Sequence, residues 1–231
     1  MKKINLLLSS LFVIPVLAAS GSADDLTIVQ NILDKSGISG VSAQSICRME
    51  DGRVVALDLK NKDITKDGMT FLPSDIGNLS ELRVLVCSGN IIDSLPAEIG
   101  NLTSLQKLDC SSNRITMLPA TIGNLVNLTT LDLRHNRIAL LPPEIGKCAE
   151  LELLQLWGNN LTELDEAVVK LPSLKELYLK DNRLTALPVG IVKMDLRYFD
   201  IMGNKLCDPP KAVEAWITKK DAHFRELQKC W

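Results

Sequence analysis

The chain has 231 residues, of which 46% are hydrophobic and 23% are charged, while only 4% are aromatic. This much apolar material excludes a disordered chain, and the charged fraction argues against a bundle of membrane-spanning helices. The formal net charge of −2 gives no general attraction to nucleic acid or to an anionic membrane surface. Because rings are rare, each aromatic side chain on the surface needs its own explanation.

Residues 1–23 have the pattern of a secretory signal peptide. Lys2 and Lys3 precede a short apolar run, and small residues follow it. Three residues fit as the last one removed, namely Ala18, Ser20 or Ala23, and we expect Ala23. An uncleaved membrane anchor is the alternative, but the run is shorter than the roughly 20 residues of a span and Pro15 interrupts it. The sequence therefore predicts a secreted or periplasmic protein with no membrane insertion after signal removal.

A pattern that recurs every 23 residues fills the middle of the chain. It consists of a Leu-x-x-Leu-x-Leu or Leu-x-x-Leu-x-Cys segment, an Asn three residues later, and then a Leu-Pro-x-x-Ile-Gly-x-Leu stretch. The last two aliphatic positions of the first segment alternate with polar residues, which predicts a short strand with one buried face. The copies begin at Val54 (an irregular one), Leu82, Leu105, Leu128, Leu151, Leu174 and Leu196.

This pattern resembles the leucine-rich repeat family, in its 23-residue Leu-Pro-x-x-Ile-Gly-x-Leu subtype and its exported bacterial type. The resemblance implies an α/β solenoid with a curved parallel sheet on its concave face, and a scaffold used for many kinds of partner. Stacked strands would lie about 4.8 Å apart. The recurring Asn side chains are expected to satisfy backbone groups of adjacent turns and so to form a ladder. Proline marks the outer arc of most copies, and Asp165 replaces it in the fifth.

Four segments are predicted along the chain: a signal peptide (1–23), an N-terminal cap (24–53), seven repeats (54–207) and a C-terminal cap (208–231). A helix is expected from Asp24 to Lys35, with Asp24 or Asp25 as its N-cap. In the C-terminal cap, we interpret Trp216 and Phe224 as lid residues over the last repeat; ligand binding by these rings is the weaker interpretation.

The six cysteines are expected to have different roles. Cys87 and Cys110 hold strand positions of successive copies, and Cys148 holds a leucine position on the outer arc, so free core thiols are expected at all three. Cys207 and Cys230 bracket the C-terminal cap, and the resemblance to exported family members implies a disulfide between them. Cys47 has no nearby second cysteine, so its pairing stays open. The scarcity of His gives a zinc site little support.

Partner binding is predicted on the exposed face of the sheet, at the end formed by the last three copies. There the alternating strand positions carry an aromatic and apolar group, bordered by His135 and by a cation. The predicted partner-binding residues are Arg134, Leu153, Trp157, Tyr178, Tyr198 and Met202. The alternative is that these rings only cover one another, as cross-strand aromatic pairs do.

The predicted function is a non-enzymatic binding module for a protein or peptide. Exposed rings also stack on sugars, so carbohydrate or cell-wall binding is an alternative, and structural self-assembly is another. The sequence has no Ser-His-Asp arrangement and no phosphate loop, so no catalytic residues, metal or cofactor are predicted. Asp109 and Asp132 would be neighbours, which suggests a carboxylate pair or calcium. Because Lys107 and Arg134 flank them, a solvated charge ladder is the preferred interpretation.

Overall fold

Each repeat forms one short strand, and the strands pair in chain order into an eight-stranded sheet. The computed structural model describes residues 23–61 and 68–220, together with Phe224 and Gln228. Strand β1 pairs antiparallel with β2, and all later pairs are parallel. The strands are β1 (Cys47–Glu50), β2 (Arg53–Asp58), β3 (Val84–Val86), β4 (Lys107–Asp109), β5 (Thr130–Asp132), β6 (Leu153–Gln155), β7 (Glu176–Tyr178) and β8 (Tyr198–Asp200).

The register of the sheet places equivalent residues of successive repeats side by side. Leu85 of β3 pairs with Leu108, which pairs with Leu131, and the series continues to Phe199 of β8. These side chains are all buried, and each repeat adds one aliphatic layer to a continuous core. The expected solenoid with strands on one side is therefore confirmed.

On the opposite side, each of the first six repeats has a short 3₁₀ helix. In the copies with a Leu-Pro pair, proline precedes the helix with φ between −60° and −68°, which is the angle its ring imposes. In the fifth copy the Asp165 carboxylate accepts a hydrogen bond from the Ala167 amide instead, at 2.7 Å. Adjacent helices pack closely: a Cβ on Gly100 would lie 2.5 Å from the Thr121 carbonyl oxygen. A side chain there would push two repeats apart.

The recurring asparagines form the expected ladder inside the turns. Asn136 is typical: its Nδ2 donates to the carbonyls of Cys110 and Leu133, both at 3.0 Å, and its Oδ1 accepts from the Ile115 amide at 3.0 Å. Each asparagine therefore joins its own turn to the preceding repeat. The equivalent side chains, all buried, belong to Asn90, Asn113, Asn136, Asn159, Asn182 and Asn204.

Helix α1 (Ala23–Lys35) covers the first repeat, as expected, with Val29, Ile32 and Leu33 buried against it. The helix begins one residue before Asp24, so the expected N-cap role of Asp24 or Asp25 is wrong. The buried Asp25 carboxylate instead accepts hydrogen bonds from the Val54 amide at 2.8 Å and from Arg53 Nε at 3.0 Å. This carboxylate anchors the helix to β2.

At the other end, helix α2 (Lys211–Lys220) covers the last repeat. Trp216 packs edge to face on Phe199 of β8, with 4.9 Å between ring centroids, and Phe224 is buried. Their interpretation as lid residues is confirmed. Gln228 is also buried there: its Oε1 accepts from the Leu206 amide at 3.1 Å and its Nε2 donates to the Ile201 carbonyl at 3.2 Å. Asn204 makes the equivalent bonds one repeat earlier, so Gln228 continues the ladder beyond the repeats.

The cysteines within the core are free thiols, as expected for Cys87, Cys110 and Cys148. The Cys87 Sγ lies 3.0 Å from that of Cys110, and it donates a hydrogen bond to it. Cys47 is also free and buried, which answers the question about its pairing. Cys230 lies outside the described residues, so the Cys207–Cys230 disulfide stays a prediction.

Candidate functional site

The solvent-facing side of β2–β8 carries three columns of side chains that change character along the stack. In β4 and β5 the first column has Lys107 and Thr130, the middle column Asp109 and Asp132, and the third column, just after the strands, Ser111 and Arg134. The third column, formed by the second residue after each strand, is buried at Ser88 and Ser111. It is partly exposed from Arg134 onward. All six predicted partner-binding residues lie on this side, and each is at least partly exposed. Tyr198 is the most open of the large apolar side chains here, at 53%. The structure thus brings the predicted residues onto one face.

Arg134 is held in place by a carboxylate from its own strand. Its Nε donates to both Asp132 oxygens at 2.9 Å, and its Nη2 lies 2.8 Å from Oδ2. The guanidinium carbon lies 5.6 Å from the centroid of the Trp157 ring, in the range of a cation–π contact. Asp132 therefore positions Arg134, and Arg134 in turn restrains Trp157.

His135 contacts the same tryptophan from the turn that follows β5. The two ring centroids are 4.0 Å apart, with an edge-on geometry. The His135 backbone has φ +52°, in the left-handed region that non-glycine residues seldom occupy. Its imidazole fits because residue 158 is glycine: a Cβ there would lie 2.8 Å from His135 Nδ1. Arg134, His135 and Trp157 form one cluster, termed the tryptophan cluster below.

The two tyrosines belong to a separate part of the face. The Tyr178 hydroxyl donates to Glu176 Oε2 at 3.1 Å, and burial followed by the nearby Glu176 carboxylate raises the pKa of Tyr178 to about 12. Tyr198 pairs in register with Glu176 on the neighbouring strand. Among the described residues, no ring contact joins Trp157, Tyr178 and Tyr198 to one another. Tyr198 nevertheless lies close enough to Tyr178 to add to the raised pKa of its hydroxyl, so mutual covering of these rings stays an alternative.

The acidic middle column differs from the sequence interpretation. Asp109 and Asp132 are directly paired in register, but their side chains are buried, so a solvated charge ladder is wrong. Asp109 accepts hydrogen bonds from the Ser111 hydroxyl and amide, at 2.7 and 3.0 Å. Burial raises the pKa of the Asp132 carboxyl, and Asp109 adds to this effect while Arg134 opposes it. The pair is thus fixed by local hydrogen bonds and by Arg134.

Within the described ranges, no group of three or more His, Cys, Asp or Glu side chains could hold a metal ion. The helices of the same ranges include none with the length and apolar character to cross a bilayer.

Sequence reasoning missed two positions that shape the site. Asp132 was placed in the acidic column without its function of holding Arg134, although its spacing of two residues along a strand signals a same-face pair. Gly158 was also missed; the copies at Gly89 and Gly203 have glycine at the same position, so the sequence contains no signal that Gly158 makes room for His135.

The repeats match three family descriptions in sequence. Residues 53–135 match the leucine-rich repeat region, residues 127–148 the leucine rich repeat, and residues 149–206 a further leucine rich repeat family. Together these matches cover the predicted repeats from the first copy to the last. Among proteins of curated function, none matches the chain significantly.

Solved structures agree with the sequence matches. A leucine-rich repeat protein of Leptospira interrogans is 37% identical with a TM-score of 0.61, over 64% of this chain and 38% of that one. A plant peptide hormone receptor, RGFR1 in complex with RGF2, is 30% identical with a TM-score of 0.55, over 58% of this chain and 23% of that one.

An internalin of Listeria monocytogenes shares the fold at 23% identity and a TM-score of 0.53, over 58% of this chain and 38% of that one. The chain thus spans well under half the length of these structures. The stacked strands, the asparagine ladder and the family matches together show that the chain belongs to the leucine-rich repeat family.

Proposed function

We propose that this chain is an exported, non-catalytic module that binds a protein or peptide on the solvent-facing side of its sheet. The tryptophan cluster is the observation that carries the proposal. Trp157 is partly exposed while Arg134 and His135 restrain it, and interface hot spots favour restrained Trp, Tyr and Arg side chains. Leu153, Tyr178, Tyr198 and Met202 extend the apolar surface on the neighbouring strands.

The family supports a binding function, since a leucine-rich repeat scaffold is used mainly for recognition. The similarity to a peptide hormone receptor in complex with RGF2 supports a protein or peptide partner. The predicted signal peptide is the basis for export. Residues 1–22 of it lie outside the described part of the chain, and mass spectrometry of the mature protein should find Asp24 as the first residue.

Carbohydrate binding is the second candidate, because aromatic rings also stack on sugars. The surroundings of Trp157 favour a protein partner, since Arg134 lies over its ring and His135 contacts it. Both neighbours restrict the flat open face that sugar stacking uses. Screening on a glycan array tests this candidate, and sedimentation at several concentrations tests self-assembly.

Replacing Trp157 and Tyr198 by alanine, one at a time, tests the proposal. In a pull-down from a mixture of candidate partner proteins, quantified by mass spectrometry, both variants should fail to capture the same protein that the wild type captures. Loss of a hot-spot side chain of about 2 kcal/mol or more corresponds to roughly 30-fold weaker binding. Val126→Ala, an exposed apolar truncation on the other side of the repeat, is the matched control. Unchanged capture by both variants would exclude this face as the binding site.

A further inference from the structure

A column of cations runs along one side of the solvent-facing sheet surface. It consists of the residues directly after the ladder asparagines: Arg114, Arg137, Asn160, Arg183 and Lys205, termed the Arg137 column. The backbone amide of each donates to a carbonyl of the preceding repeat, for example Arg137 to Ile115 at 2.8 Å and Arg183 to Leu161 at 2.9 Å. These backbone hydrogen bonds between repeats hold the five positions one above the other.

The cations of the Arg137 column are exposed. Within the described residues, none of the four takes part in an ion pair or a side-chain hydrogen bond. The column on the opposite side of the strands differs: there, Arg83 pairs with Glu50 and Lys175 pairs with Glu152. In a chain with a net charge of −2, this is a local concentration of unneutralised positive charge.

The Arg137 column borders the proposed binding face. Arg134 and His135 of the tryptophan cluster precede Arg137 by three and two residues, respectively, in one turn, and Trp157 precedes Asn160 in the next. Lys180, which is partly exposed two residues after β7, is a further cation in the turn that leads to Arg183. Asp181, Glu163 and Asp208 are the acidic residues nearest to the column in sequence. A partner seated on the tryptophan cluster therefore lies beside four unpaired cations.

We infer that the partner is an acidic protein segment, with carboxylates along the Arg137 column and apolar side chains on the tryptophan cluster. This inference rests on the proposed function. From Arg114 to Lys205 the column crosses four repeat steps of about 4.8 Å, or roughly 19 Å, which about six residues of an extended chain span. An arginine guanidinium can donate two parallel hydrogen bonds to one carboxylate. A protein segment supplies both carboxylates and apolar groups. The cations select the partner and accelerate its association.

Selection from a displayed library of random peptides of about twelve residues tests the inference. Peptides that bind the wild type should be enriched in Asp and Glu beside an aromatic or aliphatic residue. For a selected peptide, Arg137→Glu with Arg183→Glu should weaken binding about tenfold or more, and raising the salt should weaken it as well. Asn160→Arg, which fills the gap in the column, should strengthen it.

Lys147→Glu with Lys193→Glu is the matched control, because it makes the same change of net charge at exposed lysines of the 3₁₀ helices. Binding within about twofold of wild type is expected for it, since exposed charges more than a Debye length away are screened. An equal loss in both double variants would overturn the inference, because it would mean attraction to net charge alone.

The other outcomes separate the two proposals. Selected peptides that need Trp157 but show no excess of Asp and Glu would overturn the acidic partner and leave the binding face intact. A heparin oligosaccharide that binds through Arg137 and Arg183, without any selected acidic peptide, would overturn it in favour of an anionic sugar. Selected peptides that bind independently of Trp157 would count against the proposed function itself.

Discussion

Replacing Asn136 by alanine tests whether the buried asparagines hold adjacent repeats together. Within the described residues, the change removes the hydrogen-bond acceptor of the buried Ile115 amide. It also removes the two shortest donor contacts of the side chain, to the carbonyls of Cys110 and Leu133. A buried amide left without a partner costs about 1–3 kcal/mol, and each lost carbonyl contact costs about 0.5–1.5 kcal/mol. The free energy of unfolding should therefore fall by roughly 4 kcal/mol, a large share of the 5–15 kcal/mol typical of a domain.

Urea unfolding followed by circular dichroism measures this loss, with the slope of the transition as a check that unfolding stays cooperative. Asn124→Ala is the matched control, since Asn124 is exposed and its side chain makes no hydrogen bond within the described residues. It should change stability by no more than about 0.5 kcal/mol. A loss below about 1 kcal/mol for Asn136→Ala, with an unchanged slope, would refute the claim that the ladder couples the repeats.

Three other features give measurable expectations. The pKa of Asp132 is raised, chiefly by burial, so its carboxyl adds stability below the raised pKa that is lost as the pH rises through it. The free energy of unfolding of the wild type, minus that of Asp132→Asn, should therefore decrease as the pH rises from about 4 toward 7. A difference that does not change with pH would contradict this. Burial also raises the pKa of Cys47 to about 12 and of Cys148 to about 11, so native thiols should react with Ellman's reagent only after urea is added. Non-reducing peptide mapping should recover Cys207 joined to Cys230, and free thiols at both would count against that disulfide.

The repeat register was predictable because the period itself determines which residues become neighbours. Once copies stack, Leu85 must meet Leu108, and the asparagine of each turn must face the backbone of the turn before it. Strand positions, core leucines and the ladder thus follow from spacing alone. The same reasoning placed Trp157, Tyr178 and Tyr198 on one face without any structure.

Features outside the period were harder to predict. Strand β1 was missed, although Asp51-Gly52 is a hairpin turn signal and both residues have positive φ, at 47° and 79°. The burial of Asp132 depends on how Arg134 folds back over it, and a pattern of residue types does not contain that side-chain geometry. Gln228 lies in no repeat, so nothing in the spacing indicated its contacts.

Gln228 ends the asparagine ladder at the last repeat. A stack of repeats can in principle be extended one repeat at a time. Each turn has a backbone amide that donates its hydrogen bond to the asparagine of the next repeat. Here the Leu206 amide is satisfied by a glutamine supplied from outside the repeats. A shortened protein that stops at Cys207 would expose an unfinished turn, whereas a lengthened one needs an asparagine at the place that Gln228 occupies. The longer glutamine side chain therefore takes the place of the next asparagine and ends the stack of repeats.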